Sequence, residues 1–158
     1  MLRPNRRKLD LSPFSLAGCL LLCVGCGQNP PPDPSYLRGQ ELFENSCAAC
    51  HQTSGWGEEG VAPPLVQSPW VLGPESRMVR IVLHGVRGPI NVNGRTYNLE
   101  MEFDPSDFSD QDLADVLTYV RKAWGNDGRR IDEATVRGIR EAEGDRDSWT
   151  VEELMEVE

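Results

Sequence analysis

The chain has 158 residues, enough for one domain plus appendages. Its formal net charge is −9, and from Cys26 onward 12 Lys/Arg stand against 24 Asp/Glu, near −12. That balance argues against nucleic-acid binding, which needs a basic footprint. It suits solubility and a basic or neutral partner surface. Of five cysteines, three fall at or before position 26, so no disulfide framework is expected.

Arg3, Arg6, Arg7 and Lys8 form a positive n-region, and residues 14–24 an apolar run too short for an ordinary membrane span. Residues 1–26 are therefore expected to be an export signal, with a short transmembrane anchor as the alternative. The end of the segment resembles a bacterial lipoprotein signal, in which a Cys after a small residue is lipidated and becomes the new N-terminus. Cys26, after Gly25 and before Gly27-Gln28-Asn29, is the expected site. Cys19 has the better local match in Leu16-Ala17-Gly18, but would leave Leu20-Leu21-Leu22 at the mature end. The expected location is outside the cytoplasm, membrane-anchored and facing the periplasm. Residues 27–35 contain Pro30-Pro31-Pro32-Asp33-Pro34, a stiff extended tether holding a folded domain off the membrane.

Ser35 is expected to cap a helix running to about Asn45. Gly39 is a poor helix former, and Phe43 lies four residues on, on the same face. A close helix crossing is expected to account for both; the alternative is a glycine that is merely tolerated. Cys47-Ala48-Ala49-Cys50-His51 follows. Two thiols two residues apart, with a trailing His, form the signature for covalent haem attachment. One short turn lets both thiols reach the two vinyl groups, and the next imidazole supplies the proximal iron ligand. A thioredoxin-like dithiol has no use for the His, and a zinc site needs four ligands. Beyond the leader the only Cys and His residues are Cys47, Cys50, His51 and an isolated His84.

Gly55-Trp56-Gly57-Glu58-Glu59-Gly60 reads as a loop, followed by Ala62-Pro63-Pro64-Leu65. The Pro63 carbonyl is a candidate acceptor for the second ring nitrogen of His51; the alternative is a rigid turn. Trp70, Val71 and Leu72 are expected in the core. Pro74 and Glu75 open a second helix with Met78, Ile81 and Val82 on its apolar face, ending at His84 with Gly85 as cap. Met78 fits a core position, and His84 a helix-end histidine near the negative dipole end. His84 as an axial ligand is the alternative. Residues 90–97 read as a hairpin turning at Asn93-Gly94. Met101 lies in a non-helical stretch with no apolar stripe to join, which makes it the candidate for the second axial ligand. Ser109 and Asp112 predict a capping box on a third main helix, with Leu113, Val116, Leu117 and Val120 at i, i+3, i+4 and i+7. Residues 126–158 are an acidic extension. Asp132 caps an expected helix through Glu143, and Thr150 with Glu153 forms a second capping box flanked by Trp149 and Leu154. Its apolar surface is too small to fold alone, so it docks on the domain or against a partner.

This order of helix, Cys47-Ala48-Ala49-Cys50-His51, Pro63-Pro64-Leu65, middle helix, loop Met101 and amphipathic last helix resembles the class I cytochromes c over residues 36–125. The resemblance implies an all-α fold of three main helices around one covalent haem c. It implies His51 and Met101 on iron, Pro63 behind His51, and Gly39 and Phe43 crossing the last helix near Tyr119. Leu83-His84-Gly85-Val86-Arg87-Gly88-Pro89-Ile90, Val92-Asn93-Gly94 and Tyr97-Asn98 look like the small cytochrome modules associated with bacterial quinoprotein sugar or alcohol dehydrogenases. Where the family's loop usually has Pro after the Met, this chain has Glu102. The expected function is single-electron transfer between membrane or periplasmic redox partners, a dehydrogenase donor and a respiratory acceptor, without side-chain catalysis. The alternative is a haem enzyme or gas-sensing haem module with a labile sixth ligand.

Overall fold

The computed structural model describes residues 33–98 and 100–157. The expected export signal, Cys19, Cys26 and most of the tether lie outside them. Helix α1 (Pro34–Ser46) starts two residues earlier than a Ser35 cap predicts. The Asp33 carboxylate accepts the Ser35 N–H at 2.9 Å, and Pro34, which has no N–H to leave unpaired, takes the first turn. Single-turn helices α2 (Ala48–His51) and α3 (Pro69–Leu72) follow, then α4 (Glu75–His84). Pro74 is the residue before α4 rather than its first, a shift of one position. Strands β1 (Val86–Arg87), β2 (Ile90–Val92) and β3 (Arg95–Tyr97) lead to α5 (Asp110–Lys122), which carries the expected Ser109–Asp112 capping box. A 3₁₀ turn (Ala123–Gly125), α6 (Glu133–Glu143), β4 (Trp149–Thr150) and α7 (Val151–Met155) complete the chain.

The framework is the crossing of α1 and α5. A Cβ on Gly39 would lie 2.1 Å from the Asp115 carbonyl oxygen and 2.9 Å from the Tyr119 Cβ, so only glycine lets the two backbones meet there. Phe43, one turn on, is fully buried, with its ring 5.5 Å from Tyr119 and 5.2 Å from Trp124 between centroids. Leu113, Val116, Leu117 and Val120 bury the stripe of α5 in the same core. Strands β2 and β3 pair antiparallel from Ile90↔Tyr97 to Val92↔Arg95, and Asn93 and Gly94 both take positive φ in the turn, as a type I′ hairpin requires.

The acidic extension docks on the domain. Ile131 and Val136 are fully buried in the main core, and Leu154 in a second apolar cluster with Val86 and Trp149. Thr150 and Glu153 cap α7 reciprocally. A buried guanidinium, Arg121, joins the extension to the turn before α4. It donates to the carbonyls of Val71 (2.6 Å), Gly73 (3.1 Å) and Arg129 (2.8 Å), which offsets burying the charge without a carboxylate.

Candidate haem-binding site

The Cys47–His51 stretch is shaped by one helical turn. The Cys47 N–H closes α1 on the Phe43 carbonyl, and the Cys50 and His51 N–H groups both donate to the Cys47 carbonyl, at 3.2 and 2.9 Å. Positions i, i+3 and i+4 of a turn share a face, so both thiols and the imidazole come to one side. Cys47, Cys50 and His51 all line a cavity of about 310 Å³. Cys50 is exposed and Cys47 half-buried. Burial, and secondarily the neighbouring Cys50, pushes the Cys47 thiol up to about 11, so it stays protonated and uncharged at neutral pH.

His51 Nδ1 lies 3.2 Å from the Pro63 carbonyl oxygen. Proline offers an acceptor and no donor, so the bond fixes the neutral ring with its proton on Nδ1 and leaves the Nε2 lone pair free. Burial, the larger influence, lowers the His51 pKa, against the opposing pull of this bond. Both the tautomer and the charge state suit a metal ligand.

The remaining walls come from every part of the domain: Leu65, Trp70 and Val71, then Met78, Ile81 and Val82 of α4, then Phe103, and Val116 and Val120 of α5. Met101 lines the same cavity, although it is far from His51 in sequence. Its N–H donates to the Val86 carbonyl at 2.9 Å, making a single antiparallel bridge. Two thiols, an imidazole with one nitrogen committed and a thioether thus converge on a largely apolar space. That donor set fits a thioether-linked iron porphyrin.

Met78 lines the cavity from a buried position in the core. His84 does not line it. Its Nε2 sits 3.4 Å from Glu143 Oε2 on α6. Two bracing residues escaped the sequence analysis. The Asn126 side chain accepts from the Gln67 N–H (2.7 Å) and donates to the carbonyls of Leu65 (3.1 Å) and Val120 (2.8 Å), tying the cavity-wall loop to the end of α5. Val86 holds Met101. Asn126 after Gly125 reads as a helix stop, and nothing local addresses it to Leu65; a buried Asn is found only once its partners are placed.

Residues 36–124, more than half of the chain, match the cytochrome c family. The chain is 33% identical over 90 residues to the cytochrome c subunit of a quinone alcohol dehydrogenase of Gluconobacter oxydans, covering 56% of this chain and 18% of that protein. It is 33% identical over 84 residues to cytochrome c-552 of Thermus thermophilus, covering 51% and 63%. It is 33% identical over 90 residues to the gluconate 2-dehydrogenase cytochrome c subunit of Pantoea cypripedii, covering 56% and 20%. The chain spans less than two thirds of each of these relatives. It belongs to the cytochrome c family, whose cofactor is covalently bound haem c with its iron.

Proposed function

We propose that this cytochrome c is a mono-haem carrier of single electrons between exported redox partners, with Cys47 and Cys50 as the thioether attachments and His51 and Met101 as the axial ligands. One observation carries the reading: these four side chains converge on one apolar cavity, with His51 Nδ1 already committed to Pro63. Haem c, when bound, supplies an iron that gains and loses one electron. The chain's own part is to hold and insulate it. Burial keeps the imidazole neutral, and the Pro63 carbonyl fixes its tautomer and orientation. With His51 and Met101 both holding the iron, no position would be left open to small molecules, as a carrier rather than a haem enzyme or gas sensor requires. Apolar walls exclude water and disfavour the more positive ferric state, raising the potential.

A quinone-dependent dehydrogenase is the proposed donor and a respiratory component the acceptor. The names of the relatives support this, because several are cytochrome c subunits of quinone alcohol dehydrogenases and another is the cytochrome c subunit of a gluconate dehydrogenase. Anchoring through lipidated Cys26 is part of the same proposal, supported by the apolar run that ends at Gly25-Cys26. Acyl chains there would place the domain at a membrane surface at the reach of the Pro-rich tether.

The test is spectroscopic. Intact mass should correspond to one haem retained after acid–acetone extraction, and the ferric protein should have the far-red charge-transfer band of methionine ligation. Extractable haem, or a high-spin ferric spectrum with ready carbon monoxide binding in the ferrous form, would replace the carrier by a module with a labile sixth ligand. Release of the protein from membranes by Cys26→Ser tests the anchor; release by Cys19→Ser alone moves it.

A further inference from the structure

The segment that carries Met101 has little of its own to hold it in place. Among the described residues 100–105, Met101 is the only one in a ladder pairing, and its partner is Val86. Val86 is in turn the middle of three paired segments. On its other side β1 pairs in parallel with β4, Val86 opposite Trp149 and Arg87 opposite Thr150, and the Trp149 N–H donates to the Gly85 carbonyl at 3.2 Å. Gly85 sits between the two sides: a Cβ there would lie 2.4 Å from the Met101 carbonyl oxygen and 3.3 Å from Ser148 Oγ. The adjacent Ser148 hydroxyl donates to Glu100 at 2.7 Å, reaching the ligand segment directly. Met101 packs on the apolar cluster of Val86, Trp149 and Leu154. That cluster is itself pinned. The Arg146 guanidinium lies 3.3 Å from the Trp149 ring centroid, and Arg77 Nε donates to the Leu154 carbonyl at 2.9 Å. All of β4 and α7 lies beyond residue 124, where the family match ends.

We infer that residues 145–157 are a clamp that holds the Met101 segment against the haem cavity, with Trp149 as a positioning residue for the distal ligand. The inference rests on the proposal that Met101 is that ligand. The physical basis is the division of labour along Val86. One face of its short strand binds the Met101 backbone, and the other is held by an aromatic plate stacked under a guanidinium. Removing the plate leaves a two-residue pairing with one bridge, too short to persist by itself. Met101 would then leave the iron for a larger fraction of the time. An external ligand binds only the open form, so its apparent affinity rises by the same factor as the open population.

The experiment uses the full-length haem-loaded protein and compares Trp149→Ala, Trp149→Phe, Ser148→Ala, Met101→Ala and a chain ended after Gly144, which keeps α6. Imidazole affinity of the ferric form and the far-red band are read together, with circular dichroism for folding. Trp149→Ala and the shortened chain should bind imidazole about tenfold tighter and lose far-red intensity. Trp149→Phe should behave as wild type, because the indole N–H makes no hydrogen bond among the described residues and only the plate is needed. Ser148→Ala, which cuts only the exposed bond to Glu100, should shift affinity in the same direction by about twofold, and it carries the test if the two larger changes prevent folding. Wild-type imidazole affinity in folded Trp149→Ala or Ser148→Ala, beside a large gain in Met101→Ala, would overturn the clamp and leave the ligand assignment intact. A Met101→Ala protein with an unaltered band and affinity would overturn the ligand assignment, and the clamp with it.

Discussion

At the scale of single residues, two substitutions probe opposite ends of the molecule. Gly39→Ala gains helix propensity, about 1 kcal/mol. It also drives a methyl to 2.1 Å from the Asp115 carbonyl oxygen, a backbone atom that cannot rotate away. Relieving that contact means separating α1 from α5 and loosening Phe43, Tyr119 and Trp124. The clash outweighs the propensity gain, and urea unfolding of the haem-loaded protein should register a net loss of about 1–3 kcal/mol. Met101→Ala acts on the site instead. It removes the only sulfur donor that the loop offers the cavity, so the ferrous form should take up carbon monoxide and the reduction potential should fall. A carbonyl-free spectrum in this variant would redirect attention to Met78, the other methionine lining the cavity.

At the scale of elements, the pairing of α4 with α6 should be sensitive to acid. His84 is mostly buried, and Glu143 lies 3.4 Å away, while Arg80, Arg140 and Arg146 surround the pair. Burial is the largest influence and lowers the His84 pKa; Glu143 opposes it, and the three arginines reinforce it. A histidine with a folded pKa below its unfolded value of about 6.5 binds fewer protons folded than unfolded. Its contribution is therefore complete above about pH 6.5 and is lost as pH falls through the lower folded value. Protection factors of the α6 amides, which are corrected for the intrinsic pH dependence of exchange, should fall as pH drops below about 6.5, and His84→Gln should flatten that dependence; an equal fall in both proteins would place the titration elsewhere. This interface was hardly legible in the sequence, whereas the haem turn and the main helices were. Cys47-Ala48-Ala49-Cys50-His51, the Ser109 and Thr150 capping boxes and the Asn93-Gly94 turn are local devices, each complete within a few residues. Gly39 announced a crossing because its cost in a helix demands a reason. By contrast β1 and β4 are two residues each, with no periodicity to detect, and they pair across most of the second half of the chain. The helical turns Ala48–His51 and Pro69–Leu72 are likewise too short to leave a pattern. The start of α1 at Pro34 followed from a single Asp33 side-chain bond that competed with Ser35 for the same role.

At the scale of the whole molecule, charge and cavity combine to set what docks and how fast. The rim of the cavity on the Met101 side carries Glu100 and Glu102, both exposed, on a protein that is near −12 from Cys26 onward. Exposed Trp56 and Val61 lie on the loop that follows the haem turn, with Val61 itself at the cavity wall. A partner approaching the Met101 rim meets an acidic field. Such a field attracts cations over roughly 10 Å at 0.1 M salt and is screened beyond that. Electron exchange with small inorganic reagents isolates the effect without needing the natural partner. A cationic cobalt(III) chelate should oxidise the ferrous protein with a rate that falls as salt is added, and an anionic ferricyanide with a rate that rises. Glu102→Lys changes the local charge by two units at the rim and leaves the core untouched. It should slow the cationic reagent, speed the anionic one and shrink both salt slopes. If instead both reagents responded only to the net charge, a control reversal at Glu141, exposed on the outer side of α6, would change the rates as much as Glu102→Lys does, and electrons would not be entering at the Met101 rim. A larger effect at Glu102 would place the transfer path at that rim, beside the segment held by Val86 and Trp149.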